Sequence, residues 1–238
     1  MKEQMSPPAY KRHRFPPEII AHAVWLYFRF ALSYRDVEEL LAERGVIMTY
    51  ETVRQWCHKF GQTYANALRR RRPRPGDKWH LDEVFIRISG VQHYLWRAVD
   101  QDGNVLDILV QSRRDKAAAT KFLRRLLKDL AYVPRVVITD KLASYGAAKR
   151  EALPSVEHRQ HKRLNNRAEN SHQPTRERER RMRRFKSPGH AQRFLAAYGP
   201  IASHFRPRRH RLTAAAYRQT RAERFQTWHD VTGTQVIA

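Results

Sequence analysis

The sequence predicts an α/β protein: a mixed five-stranded sheet with flanking helices, preceded by an all-α helix-turn-helix segment. Three observations carry this. Apolar residues recur with a helical period up to about residue 68 and with a strand period from Asp77 onward. Three strand-like runs, 79–88, 92–99 and 105–110, are separated by Ser89-Gly90 and Asp102-Gly103, so they form an antiparallel meander. A helical run then leads to Val136-Val137-Ile138-Thr139, a buried strand by composition, and strand–helix–strand implies a parallel crossover.

The elements follow in order. Residues 1–15 are basic and proline-containing and read as a disordered or DNA-tracking arm. Pro16 and Pro17 open a helix to about residue 30, with Ile20, Val24, Tyr27 and Phe28 on one face. Ser33-Tyr34-Arg35-Asp36 has the form of a capping box, opening a second helix through Val37, Leu40 and Leu41 that Gly45 ends. Thr49 caps a third, whose inward residues are Val53, Trp56, Cys57 and Phe60. Helix, short glycine-bearing turn, helix is the helix-turn-helix pattern. The third helix turns Arg54, Gln55, His58 and Lys59 outward. Arg54 and Gln55 suit base edges and Lys59 suits phosphate. An ordinary helical hairpin with a solvated charged face fits the same residues; the net charge favours DNA. Residues 69–76, Arg-Arg-Arg-Arg-Pro-Arg-Pro-Gly, read as a basic linker, with Arg70, Arg71 and Arg72 on a phosphate backbone.

In the first strand, alternation places Asp82 with Val84, Ile86 and Ile88, the more apolar face, and Glu83 with Leu81, Phe85 and Arg87. Glu83 is expected to pair with Arg87. Asp100, Asp102 and Asp107 read as turn or surface acids. Asp115 caps a helix to about residue 130. A helix-like segment with Tyr145 and Gly146 follows Asp140, and a short strand falls near 155–160. Asn165-Asn166-Arg167-Ala168-Glu169-Asn170 opens a basic helical stretch to about 186, which Pro174 must kink or break. Ser187-Pro188-Gly189 precedes two closing helices. The expected domains are 1–68, a helix-turn-helix DNA-binding domain; 69–76, the linker; 77–186, the catalytic core; and 187–238, a C-terminal helical region.

Lys and Arg number 47 against 23 Asp and Glu, a formal charge of +24. Self-repulsion at that charge calls for a polyanionic partner. Nucleic acid is the natural one and an anionic membrane surface the weaker rival. The single cysteine excludes a disulfide framework and a cysteine zinc cluster. The N-terminus has no apolar signal core, and the longest apolar stretch, 19–30, is too short for a bilayer. These features read as a cytoplasmic, nucleoid-associated bacterial protein without a membrane partner.

Asp140 closes a buried strand, at the sheet end where open α/β sheets bind ligands. A carboxylate there is paired, holds a metal, or merely caps the next turn. If the first and fourth strands are neighbours, Asp82 lies beside it. Two such carboxylates without a cation repel. Bound to two divalent ions, they would serve in-line phosphoryl displacement.

Trp79-His80-Leu81-Asp82-Glu83, Arg97-Ala98-Val99-Asp100, Ile138-Thr139-Asp140-Lys141, Glu157-His158-Arg159-Gln160 leading into Asn165-Asn166-Arg167-Ala168-Glu169, and Phe185-Lys186-Ser187 together resemble the insertion sequence six family of bacterial transposases. These are DDE enzymes with a ribonuclease-H-like core of the retroviral integrase type. The resemblance implies that Asp82, Asp140 and Glu169 are the catalytic, metal-binding triad, holding two Mg2+ (or Mn2+) ions and no other cofactor. It implies double-stranded DNA as partner, both the element's terminal inverted repeats and the target. It also implies at least a homodimer and a replicative cointegrate route. Lys141, Arg159, Lys162 and Arg167 would hold phosphates near the site. Asp140 and Glu169 stand 29 positions apart, closer than the family pattern, which reads as a shortened loop near 147–155. Asn166-x-x-Glu169 also fits a capping box. Two rivals remain: a helix-turn-helix regulator with an inactive core, and a nuclease that cuts without joining.

Overall fold

The computed structural model describes residues 10–207 and 209–234, without the side chains of Lys162 and Arg163; most of the expected basic arm, residues 1–9, lies outside the described residues. The chain forms two compact units, residues 1–72 with 197–238, and residues 73–196. The expected C-terminal region 187–238 is therefore divided: its last 42 residues (197 to 238) belong with the N-terminal helices. Among the described residues no helix is long and apolar enough to cross a membrane.

In the first unit, α1 (Pro17–Arg29), α2 (Tyr34–Ala42) and α9 (Ala214–Thr232) pack against α3 (Tyr50–Arg70). The starts of these helices follow the capping residues. Ser33 Oγ accepts from the Asp36 amide at 3.1 Å while the Ser33 amide donates to Asp36 at 2.8 Å, which closes the box. Thr49 Oγ1 accepts from the Thr52 amide. Ile20, Val24, Phe28, Val53, Trp56 and Phe60 are all buried, as the period requires. The α3 helix outruns its expected end and takes in Arg69 and Arg70, so the linker expected from 69 begins later. The α9 helix explains this. Trp228 sits edge-on to Tyr64 with ring centroids 5.3 Å apart, and Asp230 pairs with Arg71 at 3.2 Å. That second layer, invisible to local sequence, gives the far half of α3 something to pack on.

At Gly61 of α3 a Cβ would lie 2.6 Å from the buried Phe28 ring of α1. Gly61→Val is expected to lose about 1–3 kcal/mol by overpacking, more than any helix-propensity gain returns, and a denaturant melt of the variant measures it.

In the second unit the sheet order is β3-β2-β1-β4-β5. The strands β1 (Lys78–Ile88), β2 (Val91–Asp100) and β3 (Val105–Gln111) form the antiparallel meander. Its first turn places Ser89 at φ 50° and Gly90 at φ 81°, the two left-handed positions of a tight hairpin. The short strands β4 (Val136–Thr139) and β5 (Glu157–Gln160) add in parallel, with His80 paired to Ile138. This is the expected mixed five-stranded sheet. The crossover helix α4 (Lys116–Leu130) is capped by Asp115, which accepts from the Ala118 amide at 2.8 Å. The segment after Asp140 is α5 (Ala143–Ala152), and α4 and α5 pack together. The core under them includes Trp79, Leu81, Trp96, Phe122, Leu126 and Tyr145.

The two faces of β1 exchange roles along its length: Trp79 and Leu81 enter the helix-covered core, and further on Ile86 and Ile88, on the face of Asp82, are buried while Phe85 is 64% exposed. One expectation is corrected. Asp107 is buried in β3 and paired with Arg125 at 2.8 Å, because α4 brings an arginine over a strand that looked peripheral. Asp100 keeps its turn role, accepting from the Asp102 and Asn104 amides.

Candidate active site

Three elements of the second unit bring acids together. Asp82 is in the middle of β1 and only 7% exposed. Asp140 follows β4, two residues beyond Ile138 as Asp82 is two beyond its partner His80, so the parallel register carried forward sets the two acids side by side. Glu169 is in the exposed first turn of α6 (Asn166–Ser171), which packs over β1 and β2. Burial first, then the charges of Glu83, Asp140 and Glu169, push the Asp82 carboxyl up to about 7.

The α6 helix is fastened from both ends. Before it, a 3-10 turn (Lys162–Asn165) delivers Asn165, fully buried, whose Nδ2 donates to the Leu81 carbonyl at 2.8 Å, next door to Asp82. After it, buried Arg97 of β2 donates to the Ser171 carbonyl and to Thr175 Oγ1. Arg97 is also the cross-strand partner of Asp82. The expected capping box at Asn166 does not form. The helix cap is Asn165, and no side chain caps it. Pro174 breaks the expected long helix: α6 ends at Ser171, α7 (Gln173–Arg181) starts afresh with the proline in its first turn, and α8 (Pro188–His204) follows.

Asp140 does two things. Its Oδ1 accepts from the Leu142 amide at 3.0 Å, turning the chain toward α5, and its Oδ2 lies 3.8 Å from Arg114. Arg114 is held mainly by Glu83, at 2.6 Å. Glu83 therefore pairs with Arg114 and not with Arg87, which is exposed; the long-range partner arrives from the loop before α4. Burial raises the Glu83 carboxyl, with Tyr145 and Arg114 opposing. His172 Nε2 approaches Asp82 to 3.4 Å, the distance of an ion pair. Burial and nearby Arg97 hold that imidazole well below its usual range, so it is neutral and gives Asp82 no counter-charge.

Carboxylate oxygens of this kind suit a hard divalent cation. Among the described residues no three His, Cys, Asp or Glu side chains are close enough to form a finished metal cage.

Residues 76–208 match the family model for the DDE domain of IS240-type transposases. A transposase for insertion sequence-like element IS431mec from Staphylococcus aureus (strain Mu50 / ATCC 700699) is 34% identical over 168 residues, 68% of this chain and 75% of that protein. This chain belongs to the insertion sequence six family of DDE transposases. Two solved structures show a distant overall likeness. One is the HTLV-2 integrase catalytic core domain in complex with magnesium, with a TM-score of 0.41, 12% identity, and coverage of 65% of this chain and 97% of that chain. The other is a simian T-cell lymphotropic virus intasome in complex with the PP2A regulatory subunit B56 gamma, with a TM-score of 0.41, 14% identity, and coverage of 71% and 58% respectively.

The transposase is thus an enzyme, and its expected DNA-facing residues are placed unevenly. On α3, Arg54 is forked onto Glu51 at 2.6 and 2.8 Å, and Gln55 also reaches Glu51. Lys59 meets His13 at 2.9 Å, and His58 is exposed. A groove of about 510 Å3 beside α3 is lined by His13, Arg54, Gln55, Trp56, His58 and Lys59. Arg70 is helical and Arg71 is paired with Asp230, so neither belongs to a free linker. In the core, Lys141 is exposed and Arg159 pairs with Glu157 at 2.6 Å. Arg159 and Arg167 share a basic groove of about 450 Å3 with Lys78, His80 and Asn166. The side chain of Lys162 lies outside the described residues. His158 and His161 make local hydrogen bonds. His158 meets Thr139 Oγ1 at 2.9 Å, and His161 caps the 3-10 turn through the Leu164 amide. Sequence reasoning missed Asn165, Arg114 and His172 as parts of this transposase's site. An arginine opposite an acid in mid-strand, Arg97, was the one legible signal.

Proposed function

We propose that the transposase binds the terminal inverted repeats of its element through α2 and α3 and carries out metal-dependent strand cleavage and strand transfer at Asp82, Asp140 and Glu169, by a replicative cointegrate route. The observation that carries this is the buried Asp82 carboxyl, beside acids from three separate elements, whose ion-pair contact among the described residues is the uncharged His172. A fold keeps such an arrangement only for a cation or a proton. Two Mg2+ ions held by these three residues would supply Lewis-acid activation of water or a 3′ hydroxyl and stabilise the leaving oxygen. The chain's own residues do the rest. Asp82 and Asp140 are held by adjacent strands, and Glu169 is positioned by Asn165 and Arg97. Lys78, Arg159 and Arg167 would track the phosphates of the DNA end. Holding two ends and a target calls for a homo-oligomer, at least a dimer. A cytoplasmic, nucleoid-associated setting fits this substrate.

The test is strand transfer of pre-cut element ends, with wild type and Asp140→Asn, in magnesium and in chelator. Joined product from wild type in magnesium alone is expected. Hydrolysis without joining would make the protein a nuclease, and end binding with no chemistry would make it a regulator. DNA affinity is expected to fall on the order of a thousandfold between 50 and 200 mM salt, measured by titration, because a chain of this charge releases many counterions. A flat response would remove the electrostatic basis of the reading.

A further inference from the structure

Arg114 and Glu83 are used by nothing above, yet they touch the site directly. Glu83 is the neighbour of Asp82 on β1, its side chain 1% exposed. It sits on the opposite face of the strand, beside the fully buried Tyr145. Arg114 comes from the loop that precedes α4. Its guanidinium lies 2.6 Å from Glu83 Oε1 and 3.8 Å from Asp140 Oδ2, and its side chain is 42% exposed. One planar fork thus reaches two carboxylates that belong to different strands or strand ends. The grip is unequal: tight on the buried Glu83, loose on the more exposed Asp140.

We propose that Arg114 is a positioning residue that stands in for a cation at Asp140, anchored by Glu83 so that it releases Asp140 when a divalent ion arrives. This rests on the reading that Asp140 is a metal ligand. An arginine alone beside Asp140 would form a full ion pair and compete with the ion. With no arginine, Asp140 and Asp82 would face each other uncompensated. Glu83 divides the attraction, so Asp140 is oriented before the ion binds and is not withheld from it. The Glu83–Arg114 pair therefore sets the metal affinity of the site without contacting the ion.

The test is direct Mn2+ binding to the full chain without DNA, followed by loss of the free-ion electron paramagnetic resonance signal. The chains are wild type, Asp140→Asn, Glu83→Gln, Arg114→Gln and Arg114→Lys, each checked for folding by its melting curve. Glu83→Gln frees Arg114 to pair fully with Asp140, so binding weakens by roughly three- to tenfold; Arg114→Gln removes the competitor, so it tightens by a similar factor. Arg114→Lys keeps the charge but puts a single ammonium on the buried Glu83. It therefore tightens binding as Arg114→Gln does, and it carries the test alone should the glutamine variant fail to fold. Shifts of the same direction in Glu83→Gln and Arg114→Gln mean an ordinary structural pair and overturn the proposal. Wild-type affinity in Arg114→Lys reduces the effect to net charge and overturns it as well. Binding unchanged in Asp140→Asn instead removes the metal-site reading beneath it.

Discussion

Asp82→Asn is expected to abolish strand transfer, by roughly a thousandfold or more, and at the same time to stabilise the metal-free protein. The first effect follows if Asp82 is a ligand, since an amide cannot replace the charge that holds a divalent ion. The second follows from the environment whatever the chemistry. The folded protein raises the Asp82 carboxyl from its ordinary 3.8 to about 7. Between those values the folded state holds a proton that the unfolded chain has released, so stability falls as pH rises through that window. Above pH 7 the whole penalty is present, with an upper bound of about 4 kcal/mol. Asparagine carries no charge and escapes it. In chelator at pH 8 the variant should melt higher than wild type. The difference should close near pH 4, where the wild-type carboxyl is protonated in the folded state. Added Mg2+ should raise the wild-type melting temperature at pH 8 and leave the variant unmoved. A variant that melts lower than wild type at pH 8 would show that Asp82 is stabilised by contacts and is no strained acid.

Asn165→Ala is expected to lower strand transfer by about 10- to 100-fold while leaving binding of DNA ends intact. Asn165 is fully buried and donates to the Leu81 carbonyl, so its side chain fixes where α6 begins above β1. Losing one buried hydrogen bond costs about 1–3 kcal/mol, which the two-unit fold should survive. What does not survive is the placement of Glu169, four residues further on. A shift of about 1 Å at a catalytic group is enough to account for the loss. The kinetic pattern separates this from general unfolding: the rate at saturating DNA and Mg2+ falls while end affinity by titration stays constant. An equal fall in both would mean that Asn165 only supports the fold.

How much of this was legible in the sequence depended on where each partner lay. The capping residues Ser33, Thr49 and Asp115 and the turn at Ser89-Gly90 were readable because their hydrogen bonds close within a few residues. Strands β1 to β3 were readable from period and turn chemistry for the same reason. The neighbouring of Asp82 and Asp140 needed only the idea that the first and fourth strands are adjacent, and the pairing has that register. Contacts that cross many residues were not readable. Arg114 lies 31 positions from Glu83, so local pattern points to Arg87 instead. The hydrogen bond from Asn165 to Leu81 spans 84 positions. Arg125 over Asp107 and α9 against α3 failed alike, since neither leaves a trace in local pattern. Glu169 rests on family likeness; local chemistry also offers a helix cap, and that cap is not made.

The six-residue helix that carries Glu169 is joined to the sheet by polar side chains at its two ends, and this bears on the length of chain between it and Asp140. Evolution is free to trim or lengthen the α5–β5 excursion as long as those two moorings survive, because the acid's address is written across the sheet and not along the backbone. Counting residues between acids is then a poor ruler for catalytic competence in such enzymes, and a copy with an abbreviated interval need not be a dead one.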